Sequence, residues 1–155
     1  TYYAFDICPG FWKSMIHHAN IGRIRSIDRV RSELMSGRKT EDLVVWVKSE
    51  LPPSFFLDAE DGAVGEAYTK IMVWVQRNPN YFDHAKAKFA SGADGWLVAY
   101  AMVHNAIVVT NEQPAPESKN AIKIPDVCKQ FNVTPRDVFF VLKDLSIHFD
   151  WKGTP

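Results

Sequence analysis

Residues 91–112 constrain this chain more than any other stretch. After Ser91-Gly92, the residues Ala93, Leu97, Tyr100, Ala101 and His104 recur at the spacing of one helical face, and Asn105 marks a C-terminal stop. Ala106-Ile107-Val108-Val109-Thr110 follows at once; it is apolar and β-branched, as a buried strand is. Together the two elements impose a distance relation. A helix from Asp94 to His104 runs roughly 16 Å at about 1.5 Å per residue. The strand over 106–110 returns about 16 Å at about 3.3 Å per residue. Glu112, just past the strand, therefore comes back to the level of Asp94.

The rest of the chain alternates in the same way. Pro9 suits a first helical turn, Phe11, Trp12, Met15 and Ile16 follow at helical spacing, and Gly22 ends that helix. Residues 23–27 form a short strand candidate. Asp28 is placed to cap a helix that carries Val30 and Leu34 and closes at Gly37. Thr40 is placed to cap another, with Glu41 and Asp42 in its first turn, and Pro52-Pro53 breaks it. Residues 54–57 suit a strand and 60–77 a longer helix. A polar loop spans 111–120, Pro125 opens a short helix through Phe131, and Pro135 opens one carrying Val138, Phe139 and Leu142. Helices alternating with short apolar strands predict a parallel α/β sheet. Glu33 follows the 23–27 strand by about one and a half helical turns, so it too can face the C-terminal edge, where open α/β sheets bind ligands.

The chain's 155 residues amount to one domain with a sizeable core, and 46% hydrophobic against 23% charged residues is ordinary globular composition. Eighteen basic residues balance eighteen acidic ones, so attraction to a polyanion has to come from a local patch. Two cysteines, Cys8 and Cys128, are too few for a disulfide framework and fit a reduced, cytoplasmic setting, with a single disulfide still open. No apolar run approaches the roughly 20 residues of a membrane span. The sequence opens at Thr1 without Met, and Tyr2-Tyr3-Ala4-Phe5 has the character of a chain interior, so a preceding piece is expected.

Converging carboxylates repel one another and are costly to bury unpaired. Mg²⁺ or Mn²⁺ resolves that conflict, because hard cations take oxygen ligands and keep several waters. Such a metal activates water and stabilises charge on a phosphate undergoing in-line displacement. The plain alternative is three solvated surface acids, brought together only by the element boundaries chosen.

Gly92-Ala93-Asp94-Gly95-Trp96-Leu97-Val98-Ala99, followed by Ile107-Val108-Val109-Thr110-Asn111-Glu112, resembles the closing half of a PIN domain. Ser26-Ile27-Asp28-Arg29-Val30-Arg31-Ser32-Glu33-Leu34 resembles that fold's earlier strand-to-helix segment. Residues 3–12 and 123–128 are similar to an uncharacterised bacterial PIN-like domain of unknown function. The resemblance implies a three-layer α/β/α fold around a parallel central sheet, and a metal-dependent nuclease acting on RNA. It also implies kinship with toxins of toxin–antitoxin modules, and hence an antitoxin partner. On matching motifs, Glu33, Asp94 and Glu112 form the catalytic, metal-binding set, with Thr110 supporting by hydrogen bonding. PIN domains open with a strand ending in an Asp, and no such strand is seen here. The first strand and its acid are expected upstream of Thr1, with Asp6 as first acid of a shortened variant the alternative.

Arg23, Arg25, Arg29, Arg31, Arg38 and Lys39 form the densest basic cluster; it fits phosphate contacts and a solvated surface about equally. Lys123 and Asp126 are within reach of the site, although Pro125-Asp126 equally suits a helix start. His17-His18 face different directions on a helix and suit the surface better than a metal. Trp12, Trp46 and Trp74 are expected in packing, and an exposed aromatic patch would instead favour an antitoxin or homodimer interface.

Overall fold

Pro9 fixes φ where the first-turn N–H has no helical partner, and α1 (Pro9–Asn20) starts there. Its last residue is Asn20, and the chain turns away at Gly22, whose φ of +72° a side chain would strain. The structure, a computed structural model, describes residues 3–36 and 42–148. Gly37, Arg38, Lys39, Thr40 and Glu41, with the stop and cap expected among them, lie outside the described residues.

The fold is mixed α/β, with eight α-helices and short parallel strands among the described residues. After α1 come β1 (Ser26–Ile27), α2 (Asp28–Ser36), α3 (Asp42–Ser49) and a single 3₁₀ turn at Pro53–Phe55. Then follow β2 (Phe56–Leu57), α4 (Gly62–Arg77), α5 (Asp83–Ser91), α6 (Asp94–His104) and β3 (Ile107–Val109). The chain continues through α7 (Ile124–Gln130), β4 (Thr134–Arg136) and α8 (Val138–Asp144). In place of one sheet there are two parallel pairs, β1 with β2 and β3 with β4.

Several local expectations need correction. The 23–27 strand shrinks to Ser26–Ile27 because the N–H groups of Arg23 and Ile24 turn back to the His18 carbonyl, at 2.9 and 3.4 Å. Asp28 does not cap α2; it is the first helical residue, and its Oδ1 accepts from the Ala59 N–H at 3.3 Å. Pro135 opens no helix. It sits in β4, and the Thr110 N–H donates to the neighbouring Arg136 carbonyl. By strand alternation Pro135 therefore turns its missing N–H away from β3, as proline in an edge strand must. The helix starts only at Val138, after Asp137 accepts from the Phe140 N–H at 2.7 Å. Helix α5, which buries Ala85 and Phe89, had no counterpart among the sequence expectations.

The core forms where α4 lies along α6. Val64, Ala67, Ile71 and Val75 recur every three or four residues on α4, and they pack in one cluster with Val98 and Ala99 of α6. Asp61 caps α4 by accepting from the Ala63 N–H at 2.9 Å. Asp61→Ala is expected to cost about 1 kcal/mol, read by urea unfolding, and no change in midpoint would discount the cap. Trp12 stacks on Phe5 at 4.0 Å and meets Trp46 edge-on at 4.8 Å, so these aromatics pack the N-terminal region. Trp74 likewise meets Tyr81 and Phe131 edge-on. His18 departs from the surface placement expected for it: it is buried, and burial lowers its pKa, with His17 and Arg23 adding to the effect. No helix among the described residues is long and apolar enough to cross a membrane.

Both cysteines are free: Cys8 is half-buried and Cys128 fully buried. Burial pushes the Cys128 thiol up to about 11, far from thiolate chemistry at neutral pH. A disulfide reagent at pH 8 should accordingly modify Cys8 in the native protein and Cys128 only after unfolding. Equal native rates would contradict this burial.

Candidate functional site

Three acids from distant parts of the sequence meet around the start of α6. Asp94 is its first residue, where the helix dipole favours negative charge. Burial nonetheless raises the Asp94 pKa, and the charges of Glu112 and Glu33 raise it further, while Lys123 and Lys88 partly offset them. Among the described residues no donor is hydrogen-bonded to the Asp94 carboxylate. It is a carboxylate held beside two others without a partner of its own.

The neighbours are tied down. Glu33, on α2, accepts from the Ala93 N–H through Oε1 at 2.7 Å, which joins α2 to the loop entering α6. Glu112 is held at both oxygens: Oε1 accepts from Lys123 Nζ and Oε2 from the Ile124 N–H, each at 2.8 Å. That contact raises the Lys123 pKa, the hydrogen bond contributing most. Thr110 Oγ1 accepts from the Glu112 N–H at 3.1 Å and shapes the turn after β3. The strand leading to Glu112 is only Ile107–Val109, with Ile107 and Val109 half-exposed, shorter and less buried than the expected 106–110 strand, yet the Glu112 charge acts on Asp94.

Asp126 does not enter the cluster. Its Oδ2 accepts from the Ala115 N–H at 2.9 Å and fastens the 111–123 loop. Asn80 fastens the same loop by donating to the carbonyls of Pro116 and Ser118 at 3.2 and 3.1 Å. Asp6 lies exposed in the turn before α1 and is not among the charges acting on Asp94.

The arginines divide among several contacts. Arg23 pairs with Asp144 at 3.4 Å, and Arg25 donates to the Ser54 carbonyl at 3.2 Å. Arg29 pairs with Glu60 at 2.8 Å and lies over the Trp96 ring, which itself stacks on Tyr68 at 3.9 Å. Arg31 lies over Phe56. Lys123 is the cation that faces the acids, and Lys88 on α5 joins it. Sequence reasoning passed over Lys88 because α5 itself was not foreseen.

For a divalent metal, the donor chemistry and the geometry differ. Hard carboxylate oxygens around an unpartnered Asp94 suit Mg²⁺ or Mn²⁺. Yet no group of three or more His, Cys, Asp or Glu side chains among the described residues is drawn together closely enough to hold an ion. Three of the four neighbouring oxygens already accept hydrogen bonds, although each retains a second lone pair.

Comparison with curated proteins and with solved structures yields no match. The family model described as Domain of unknown function (DUF4411) matches residues 1–149, and the chain belongs to that family.

Proposed function

We propose that this chain is the body of a PIN-like, metal-dependent endoribonuclease acting in the reducing cytoplasm. The observation that carries the reading is Asp94: a half-buried carboxylate at a helix start, its pKa raised by burial first and then by the charges of Glu112 and Glu33. Such displaced acids cluster at functional sites. Asp94 would be the principal ligand of Mg²⁺ or Mn²⁺, with Glu33 and Glu112 completing the set after Lys123 gives up its place. The metal would supply activated water and neutralise charge at a phosphodiester. Lys123 would then be free to meet a phosphate, while Arg23 and Arg29 can exchange their surface ion pairs, and Arg25 its bond to the Ser54 carbonyl, for the RNA backbone. A three-layer arrangement and kinship with toxins belong to this proposal, as does an antitoxin or a second copy as partner.

The decisive experiment titrates Mn²⁺ into the protein by calorimetry and incubates it with single-stranded RNA. Saturable binding and Asp94-dependent cleavage are expected; absence of both would remove the nuclease reading. One observation favours a second reading, a catalytically silent module that binds protein or nucleic acid. Glu112 is closed at both oxygens by Lys123 and Ile124, as in a structural clamp. That reading predicts RNA retention without cleavage at any Mn²⁺ concentration.

A further inference from the structure

Trp96 has one ring face firmly packed and the other only loosely covered. The ring stacks on Tyr68 at 3.9 Å, within 9° of parallel, and both side chains are half-buried. Tyr68 is held in turn, because its hydroxyl donates to the Ala90 carbonyl at 3.3 Å. Gly95 lets α4 bring that ring onto α6. A Cβ added there would lie 3.0 Å from Tyr68 and 3.2 Å from Phe89, so both rings would have to give way. Glycine inside a helix costs stability, and at this position it secures the stack.

The second face holds a guanidinium. Tyr68 fills the first at van der Waals distance, so Arg29, whose Cζ lies over the ring 5.2 Å from its centroid, takes the other. This cover is weakly fastened. Arg29 pairs with Glu60 at 2.8 Å, but the Glu60 side chain is 68% exposed, and ion pairs in water add little. The Arg29 Nε is buried without a hydrogen-bond partner among the described residues; Oδ2 of Asp28, at 3.9 Å, is too distant to accept. A buried donor left unpaired is costly, so the guanidinium loses little by leaving the ring. A phosphate oxygen would supply the acceptor that Nε lacks.

Helix α2 sets this cover beside the acids. Arg29 and Glu33 are four residues apart on one face of α2, with about 5–6 Å between their Cβ atoms. Glu33 accepts from the Ala93 N–H, next to Asp94, while Arg29 lies over Trp96. We propose that the Trp96 face under Arg29 is a stacking subsite for one unpaired base of single-stranded RNA. The base takes the guanidinium's place on the ring, and Arg29 moves to the phosphate of the same nucleotide. Every base has a π-face, so the subsite selects unpaired nucleotides over paired ones more than one base over another. The inference rests on the reading of this site as one that takes RNA, and it names the form of RNA taken.

The test measures binding in EDTA, where no metal-dependent cleavage intervenes. The probes are a fluorescein-labelled oligoadenylate and a ribose phosphate oligomer of equal length that lacks bases. The oligoadenylate is expected to bind about tenfold more tightly. Trp96→Leu should abolish that preference and leave the affinity for the abasic oligomer unchanged, whereas Trp96→Phe should keep most of it. Arg29→Ala should weaken both oligomers alike, through loss of a phosphate contact, and leave the Tm nearly unchanged. In the wild-type protein, the indole N–H resonance of Trp96 should move upfield under the ring current of a stacked adenine, and far less with the abasic oligomer; this arm depends on no variant folding. The proposal is overturned by a base preference that survives Trp96→Leu, by no preference or no binding, or by a Trp96 resonance that responds equally to both oligomers. A fall of several degrees in the Tm of Arg29→Ala overturns it too, since Arg29 would then be a lock on α6. Asp94-dependent cleavage without a Trp96-dependent base preference would sink the subsite and spare the nuclease reading. Base stacking on Trp96 with neither Mn²⁺ binding nor cleavage would do the reverse.

Discussion

Asp94→Asn is expected to lower Mn²⁺ affinity and RNA cleavage by at least ~100-fold while making the protein more stable at pH 7. Loss of a ligand's supporting partner alone costs 10–100-fold in metal sites, and a direct ligand should reach at least the upper end of that range. The stability gain follows from the raised pKa. Asp94 holds its proton in the folded state over a pH range where the unfolded chain, titrating near about 3.9, has lost it. In that window the native state binds more protons, so stability falls as pH rises through it. Above the folded pKa the penalty is fully present. The amide carries no charge to desolvate and no repulsion from Glu33 and Glu112, so the variant escapes the penalty. After solvent screening and a small loss of favourable helix-dipole interaction, the net gain is about 1 kcal/mol at pH 7. Urea midpoints at pH 3 and pH 7 check the sign, since the difference should vanish at the lower pH. A variant less stable than wild type at pH 7 would show that Asp94 is a satisfied surface acid.

Glu112→Ala should act in the opposite sense. It removes the acceptor for Lys123 Nζ and for the Ile124 N–H, two bonds of 2.8 Å made by one carboxylate. Hydrogen bonds to a charged group contribute about 1.5–3 kcal/mol each where buried. The two side chains retain 32% and 34% of their exposure, so water recovers part of that loss. A net destabilisation of about 2 kcal/mol is expected, together with faster proteolytic nicking in the 111–123 loop. Glu112→Gln keeps an oxygen for the Ile124 N–H and should cost about half as much. If the alanine variant unfolds within 0.5 kcal/mol of wild type, the clamp does not hold the loop, and Glu112 is free for a metal without first being released.

Periodicity and turn residues by themselves pointed to the helices beginning at Pro9, over 60–77 and over 94–104, found at Pro9–Asn20, Gly62–Arg77 and Asp94–His104, because each carries an apolar face or a recognisable start or stop. They also gave reason to expect Asp94 and Glu112 near one level; the strand is shorter than expected, Ile107–Val109 in place of 106–110, and the Glu112 charge does act on Asp94. What they missed rests on contacts distant in sequence. Thr134–Arg136 looks like a helix start because Pro135 usually marks one; only the Val108 backbone alongside makes it a strand. Glu33 joins the acids through the Ala93 N–H, 60 residues away, a contact no local pattern encodes. The same holds for Lys123, which tertiary structure sets against Glu112, and for the arginines, whose ion pairs and ring contacts scatter a cluster that looked continuous in sequence. Local backbone preferences act over a few residues and are legible in order. Sheet pairing and carboxylate environment depend on which segments finally lie side by side, and only the packed chain decides that.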